Sequence, residues 1–292
     1  MQPDYVNRIV RLALDEDIGT GDVTTLATVP EDAIVSGTFI AKATGIISGL
    51  DVVARVFEMV DPDIWFDPQV DNGSPVLKGK AIARVEGNAR SILSGERVAL
   101  NFLQRLSGIA TLTAEYVVAV EGTGARVIDT RKTTPGMRLL EKQAIRDGGG
   151  HNHRVGLSDG ILIKDNHLAA IGGAEPIADA IAAARELAPH TLRVEVEITT
   201  LDELEQALAA GADTILLDNM SSDEMAEAVR RTNRRAVLEA SGGITLANVR
   251  EVAETGVDLI SVGALTHSAP ALDISLELDV SAGRDGEPDH PS

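Results

Sequence analysis

Apolar positions along this chain change their period part-way. Tyr5, Val6, Ile9, Val10, Leu12 and Ala13 recur at helical spacing, and Gly19 and Gly21 end that helix. Strand-like segments follow at Ala33–Ile40, Ala41–Ile47 and Lys80–Glu86, with Asp71-Asn72-Gly73 as a turn between apolar stretches. Val52, Val53, Val56, Phe57 and Val60 predict a helix. So do Ile92–Leu106 and Ala110–Val120, which Ser107-Gly108 separates. The first hundred residues therefore read as mixed helix and strand.

Beyond them, short β-branched strands alternate with Ala-, Leu- and Glu-rich helices. The strands are Arg126–Asp129, Ile161–Ile163, Arg193–Glu197, Thr214–Leu217, Ala236–Glu239 and Asp258–Val262. The helices lie near Leu139–Arg146, Ile177–Leu187, Leu201–Ala210, Asp223–Arg231 and Leu246–Glu254. Such alternation implies parallel strands joined by right-handed crossovers. Glu197, Asp218 and Glu239 recur every 21 residues at strand ends, a period that fits a β/α barrel wall. Six strands rather than eight predict an open, incomplete barrel. The division expected is a first domain over 1–108, a barrel over 109–271, and a strand within 272–281 (Ile274–Val280) that returns to the first domain. The tail over 282–292 is rich in Gly, Pro and Asp and reads as disordered.

Charge narrows the function classes. The chain has 292 residues, 26 Lys and Arg against 45 Asp and Glu, a net charge of −19, and 2% aromatic residues. That field repels nucleic acid and anionic membranes, and base-stacking platforms are scarce. With no cysteine, thiolate catalysis, zinc fingers and disulfides are excluded. No apolar run is long enough to span a membrane and no secretory pattern opens the chain, so a cytoplasmic protein is expected. Against this background Arg131, Lys132, Arg138, Lys142, Arg146, Arg154 and Lys164 crowd into one window. From 131 to 167 the net charge is +3, so the other 255 residues carry −22. A sign reversal inside an acidic chain points to an anion pocket.

In β/α barrels the chemistry sits just after the strands. Those positions read Asp129 to Gly136, Lys164-Asp165-Asn166-His167, Glu195 and Glu197, Asp218-Asn219, Glu239 to Gly243, and Gly263 to His267. Glu195 and Glu197 share one face of a strand. They form either an outer polar stripe or interior groups, and because helices cover the outer face, Val194 and Val196 belong there and the carboxylates point inward. Asp218 is expected at an equivalent height. Acids beside a cation cluster fit Mg²⁺ shared with a polyphosphate. Ser241-Gly242-Gly243-Ile244 is expected to open a helix at Thr245; with Gly263-Ala264-Leu265-Thr266 it makes a pair of small-residue loops where backbone amides can meet phosphate. His151-x-His153 is disfavoured as a metal site because Arg146 and Arg154 lie close in sequence.

Taken together, Glu96 to Asn101, Asp129 to Gly136, Gly148 to Arg154, Leu162 to His167, Leu217 to Asn219 and Glu239 to Ile244 closely resemble the quinolinate phosphoribosyltransferases. The resemblance runs from Glu16 to Leu278. It implies an N-terminal α/β sandwich domain followed by an open α/β barrel, working as a homodimer or larger homo-oligomer. It implies transfer of phosphoribosyl from 5-phosphoribosyl-1-pyrophosphate (PRPP) to quinolinate with decarboxylation, in the presence of Mg²⁺. By resemblance, Thr130, Arg131, His153, Arg154, Lys164 and Arg97 from the partner subunit hold quinolinate. Lys132, Glu197, Asp218, Ser241, Gly242, Gly243, Gly263, Ala264, Leu265, Thr266 and His267 hold the donor, with Glu197 and Asp218 also serving Mg²⁺. Lys132, Lys164, Glu197 and Asp218 are the expected catalytic set. The rival readings are a phosphoribosyltransferase for another aromatic acid, a Schiff-base aldolase using Lys164, and a non-catalytic metabolite-binding module.

Overall fold

A computed structural model describes residues 3–279; the expected tail over 282–292 lies outside them. The chain forms two compact units. One holds the described residues up to Thr111 and those from Pro270 onward, and the other is Leu112–Ala269.

The first unit begins with α1 (Pro3–Ile18) and α2 (Val23–Thr28), the latter capped by Asp22, whose carboxylate accepts the Thr25 amide at 3.0 Å. Next come β1 (Ile34–Ala41), β2 (Gly45–Ile46), α3 (Leu50–Val60), β3 (Trp65–Pro68), β4 (Pro75–Val76), β5 (Ala81–Asn88) and α4 (Ala89–Ala119). An antiparallel sheet runs β12-β1-β5-β3, where β12 is Ile274–Leu278, and β2 pairs with β4 separately. α3 buries Val52, Val53, Val56 and Phe57. Phe39, Phe57 and Phe66 meet with ring centroids 6.0–6.1 Å apart, so three of the four phenylalanines form one aromatic cluster.

Two sequence expectations fail here. Ala41–Ile47 is not one strand, because pairing stops at Ala41 and resumes only at Gly45–Ile46. Ile92–Leu106 and Ala110–Val120 are not two helices either: α4 runs unbroken through Ser107-Gly108. The glycine is there for closeness, since a Cβ at Gly108 would overlap the Pro270 carbonyl oxygen. Ser107 next to it accepts the Ser48 amide at 3.0 Å and donates to the Ser48 carbonyl at 3.2 Å.

The second unit alternates β6 (Arg126–Ile128), α5 (Arg138–Asp147), β7 (Ile161–Ile163), α6 (Asp165–Ile171), α7 (Pro176–Leu187), β8 (Val194–Ile198), α8 (Leu201–Ala209), β9 (Thr214–Asp218), α9 (Ser222–Thr232), β10 (Val237–Ser241), α10 (Val249–Glu254), β11 (Leu259–Ser261) and α11 (Ala264–His267). The six strands are parallel in the order β6-β11-β10-β9-β8-β7. The two edge strands, β6 and β7, do not pair with each other, so the barrel is open. At its β6 edge, His151 forms a parallel bridge to Ile128 and exchanges backbone bonds with Val127 and Asp129. On β8, Val194 and Val196 are buried and the strand packs against α7 and α8, as the inward assignment of its carboxylates requires.

Replacing Gly108 by alanine should lower unfolding free energy by about 2 kcal/mol, because the clash is with backbone that cannot rotate away. Gly95→Ala, whose new methyl would meet Phe57 and Val60 no nearer than 3.4 Å, is the control and should change stability by less than about 1 kcal/mol. Urea unfolding of the two variants checks this, and equal stabilities would contradict the close-approach reading.

Candidate active site

The floor of the site is built around Asp129, which is fully buried immediately after β6. Its carboxylate accepts Lys142 Nζ at 2.7 and 2.8 Å, the His153 amide at 2.7 Å and Asn152 Nδ2 at 2.9 Å. Lys142 gives its remaining donor to the His153 carbonyl at 3.2 Å. Burial pushes the Asp129 carboxyl up and the Lys142 ammonium down, and each opposes the other's shift. Beside Lys142 on α5, buried Glu141 accepts the Thr134 amide at 3.0 Å and its hydroxyl at 2.8 Å. One turn of α5 thus fixes both the loop after β6 and the segment over 151–154.

These contacts correct the reading of the cation window. Lys142 belongs to the interior and faces no ligand. Arg138 bonds Thr133 Oγ1 and the Val155 carbonyl, and Arg146 bonds Asn152 and Gln143. Arg131, Lys132, Arg154 and Lys164 remain from the window. Arg131 Nε is buried with no hydrogen-bond partner. Arg154 donates Nη1 to the Gly160 carbonyl at 3.0 Å. Burial, then the charge of Arg131, lowers the Arg154 guanidinium below its ordinary value, so the two cations are close enough to repel. Thr130 Oγ1 accepts the Lys132 amide at 3.0 Å, which shapes the turn that carries both cations.

His153 sits beneath Arg154 against two acids. Its Nε2 lies 3.1 Å from Glu195 Oε2 and 3.5 Å from Glu239 Oε2, and its Nδ1 accepts the Arg154 amide at 2.6 Å. Burial alone would lower the imidazole, but its hydrogen bond to Glu195 and the charges of Glu239 and Glu195 raise it overall. Burial and the neighbouring Glu195 push Glu239 up to about 8. Both acids line a cavity of about 410 Å³ with His153, Arg154 and Thr214. A larger hollow, about 1080 Å³, lies at the amino-terminal ends of β9 and β10 around Asp213, Val237 and Asp258, away from the strand-end residues.

Lys164 Nζ meets Glu197 Oε2 at 2.5 Å, with Lys164 partly exposed and Glu197 nearly buried. Asp218 is not at the height of Glu197. Glu197 pairs in register with Leu216, and it is Glu239 that stands level with Leu216 on the other side. Asp218 lies two residues further out, level with Ser241. Equal spacing in sequence failed to give equal height because the connections differ in length. Asn219 holds Asp218, donating Nδ2 to Oδ2 at 2.8 Å from a left-handed backbone (φ 54°). A Cβ on Gly242 would overlap that Asn219 side chain. Asn219 is a positioning residue that sequence reasoning passed over; its tolerance of positive φ was the available signal.

The helix expected at Thr245 begins instead at Val249. Asn248 accepts the Thr245 amide at 2.8 Å and donates to the Gly243 carbonyl at 3.0 Å, closing a turn in between. The Gly242-Gly243 loop therefore offers backbone amides without a helix end behind it. In the other loop, Thr266 and His267 donate their amides to the Gly263 carbonyl, Thr266 Oγ1 donates to the Lys132 carbonyl at 2.8 Å, and the Leu265 side chain is fully buried. A Cβ on Gly263 would press on Lys132 Cδ at 3.1 Å and His267 Nε2 at 3.2 Å, so Lys132, Gly263 and His267 come together. Arg97 is exposed on α4, in the other unit.

Two family models match most of the chain, the N-terminal domain of quinolinate phosphoribosyl transferase over residues 22–107 and its C-terminal domain over 109–277. The chain belongs to the quinolinate phosphoribosyl transferase family. It is 46% identical over 266 residues to the probable nicotinate-nucleotide pyrophosphorylase [carboxylating] of Bacillus subtilis, covering 91% of each chain. It is 43% identical to the chloroplastic nicotinate-nucleotide pyrophosphorylase [carboxylating] of Arabidopsis thaliana, covering 95% of this chain and 84% of that one. The nicotinate-nucleotide pyrophosphorylase structure from Francisella tularensis superimposes with a TM-score of 0.90 at 41% identity, covering 96% of this chain and 98% of that chain. Among the described residues no helix is long and apolar enough to cross a membrane.

Lys142→Met removes the ammonium but leaves the Asp129 carboxylate buried, and should cost about 3–5 kcal/mol of stability. Denaturant unfolding measures this. A variant as stable as the parent would show that the pair does not hold the site's floor.

Proposed function

We propose that the protein is a phosphoribosyltransferase that joins PRPP to quinolinate and releases carbon dioxide, giving nicotinate mononucleotide and pyrophosphate. The observation that carries this reading is Arg131, held with an unpartnered, buried Nε beside Arg154 in a chain that matches both domain models of this family. Two guanidiniums kept together against mutual repulsion suit a ligand with two carboxylates, and their planar forks suit bidentate recognition. Lys164 and Thr130 would join them, and Arg97 of the partner subunit in a homodimer would complete the clamp.

Lys132 stands against the Gly263 loop and takes the donor's phosphate side. The amides of Gly242, Gly243, Gly263 and Ala264 meet its 5′-phosphate, with Ser241 and His267 at the edge. Glu197 and Asp218 hold the ribose hydroxyls and favour the positive charge that grows at the anomeric carbon as pyrophosphate leaves. Their carboxylate oxygens are the hard donors that Mg²⁺ prefers, so Glu197 and Asp218 would hold the ion. When bound, Mg²⁺ would neutralise the leaving group's charge. The ring nitrogen bonds to the anomeric carbon as the pyrophosphate bond breaks. Positive charge on that nitrogen then draws the electron pair of the breaking carbon–carboxylate bond, carbon dioxide departs, and the ring carbon takes a proton from solvent. No protein nucleophile enters. Lys164 is ion-paired with Glu197 and lies among cations and acids, not in the apolar pocket that activates a Schiff-base amine.

Turnover of quinolinate and PRPP with Mg²⁺ should yield nicotinate mononucleotide and carbon dioxide together, and a folded protein that makes neither contradicts the reading. Arg97→Ala and Lys164→Ala should each be inactive alone. Mixed and allowed to exchange subunits, they should recover up to about a quarter of parental activity, because a mixed dimer rebuilds one intact site. No recovery after verified exchange would place Arg97 outside the partner's site.

A further inference from the structure

The pair Glu195 and Glu239 is not assigned by the reaction above, yet two buried acids inside a barrel need a reason. Both are more than nine-tenths buried, and Oε1 of each has no hydrogen-bond partner. Their Oε2 atoms converge on one edge of His153 at 3.1 and 3.5 Å. The opposite edge of that ring accepts the Arg154 amide, so with Nδ1 as acceptor Nε2 must carry the proton that faces the acids. Asp129 fixes the same short segment from outside the ring by accepting the His153 amide. The main chain at 153–154 is therefore gripped at two points, one on each side of the imidazole.

We propose that Glu195 and Glu239 are positioning residues for quinolinate binding: they hold His153 from the barrel interior and so set the place of Arg154. The negative charge of Glu195 also offsets the crowding of Arg154 with Arg131, for Glu195 attracts the same guanidinium that Arg131 repels. On the adjoining strands, Ser261 hydrogen-bonds Glu239 and Thr214 stands level with Glu195. This inference rests on the quinolinate reading of Arg131 and Arg154 and goes beyond it, because it gives the two acids the task of placing Arg154.

The test is steady-state kinetics on full-length Glu195→Ala, Glu239→Ala and Glu239→Gln, with Arg131→Ala alongside. Each alanine variant should raise the quinolinate KM by about tenfold to a hundredfold, the worth of a hydrogen bond to a charged group. The KM for PRPP and kcat at saturating quinolinate should move less than about threefold, as expected when only ground-state binding of one substrate is lost. Glu239→Gln keeps the shape and an acceptor oxygen, and should stay within about threefold of the parent. An unchanged quinolinate KM in the alanine variants overturns the proposal, as does a parallel rise of both KM values. If Arg131→Ala also leaves the quinolinate KM unchanged, it is the clamp reading that fails instead. Should the alanine variants not fold, nitrogen-15 spectra of the parent decide: His153, assigned with His153→Gln, should be protonated on Nε2 and slow to exchange. A proton on Nδ1 alone, or fast exchange at Nε2, overturns the proposal.

Discussion

Everything at the mouth of this barrel depends on a buried carboxylate having enough donors. Asp129 follows β6 fully buried, and four hydrogen bonds from Lys142, Asn152 and the His153 amide meet its charge. A barrel with six strands leaves an open edge, and at that edge the polypeptide over 148–154 takes the place of a pairing strand through the His151 bridge. Asp129 ties that segment to β6 and to α5. The cations proposed to meet quinolinate, Arg131 and Arg154, are the neighbours of residues so held.

An acidic chain thus keeps a small cationic site by sorting charge according to depth. Cations with a structural task, such as Lys142, find their carboxylate inside the fold. The cations assigned to quinolinate are less fully paired: Arg131 Nε is unpartnered, Arg154 is held by a backbone carbonyl, and Lys164 meets Glu197 from a partly exposed position. Glu195 attracts the Arg154 guanidinium, and with Glu239 it converges on Nε2 of His153. Further out, Glu197 and Asp218 present carboxylates on the sugar side, and Asn219 and Gly242 fit against each other to hold Asp218.

Much of this was legible in the sequence, but unevenly. The parallel α/β half was clear because its strands are short β-branched runs between helical ones. Gly108 misled, because a glycine signals either a break or a close approach, and only the position of Pro270 shows which. The cation window misled in the same way: composition counts Lys142 with Arg131, while burial separates them. Equal spacing of Glu197, Asp218 and Glu239 hid that Glu239 is the level partner of Glu197, since connection length does not report register. The short strands β3 and β4 have too few residues to show a period.

The most direct test of the central claim is a crystal structure of the protein with quinolinate bound. The account places both ligand carboxylates on Arg131, Arg154 and Lys164, with the Asp129, Lys142 and His153 contacts unchanged. Quinolinate lodged in the hollow around Asp213 and Asp258, or bound only after the Asp129 contacts have broken, would contradict it.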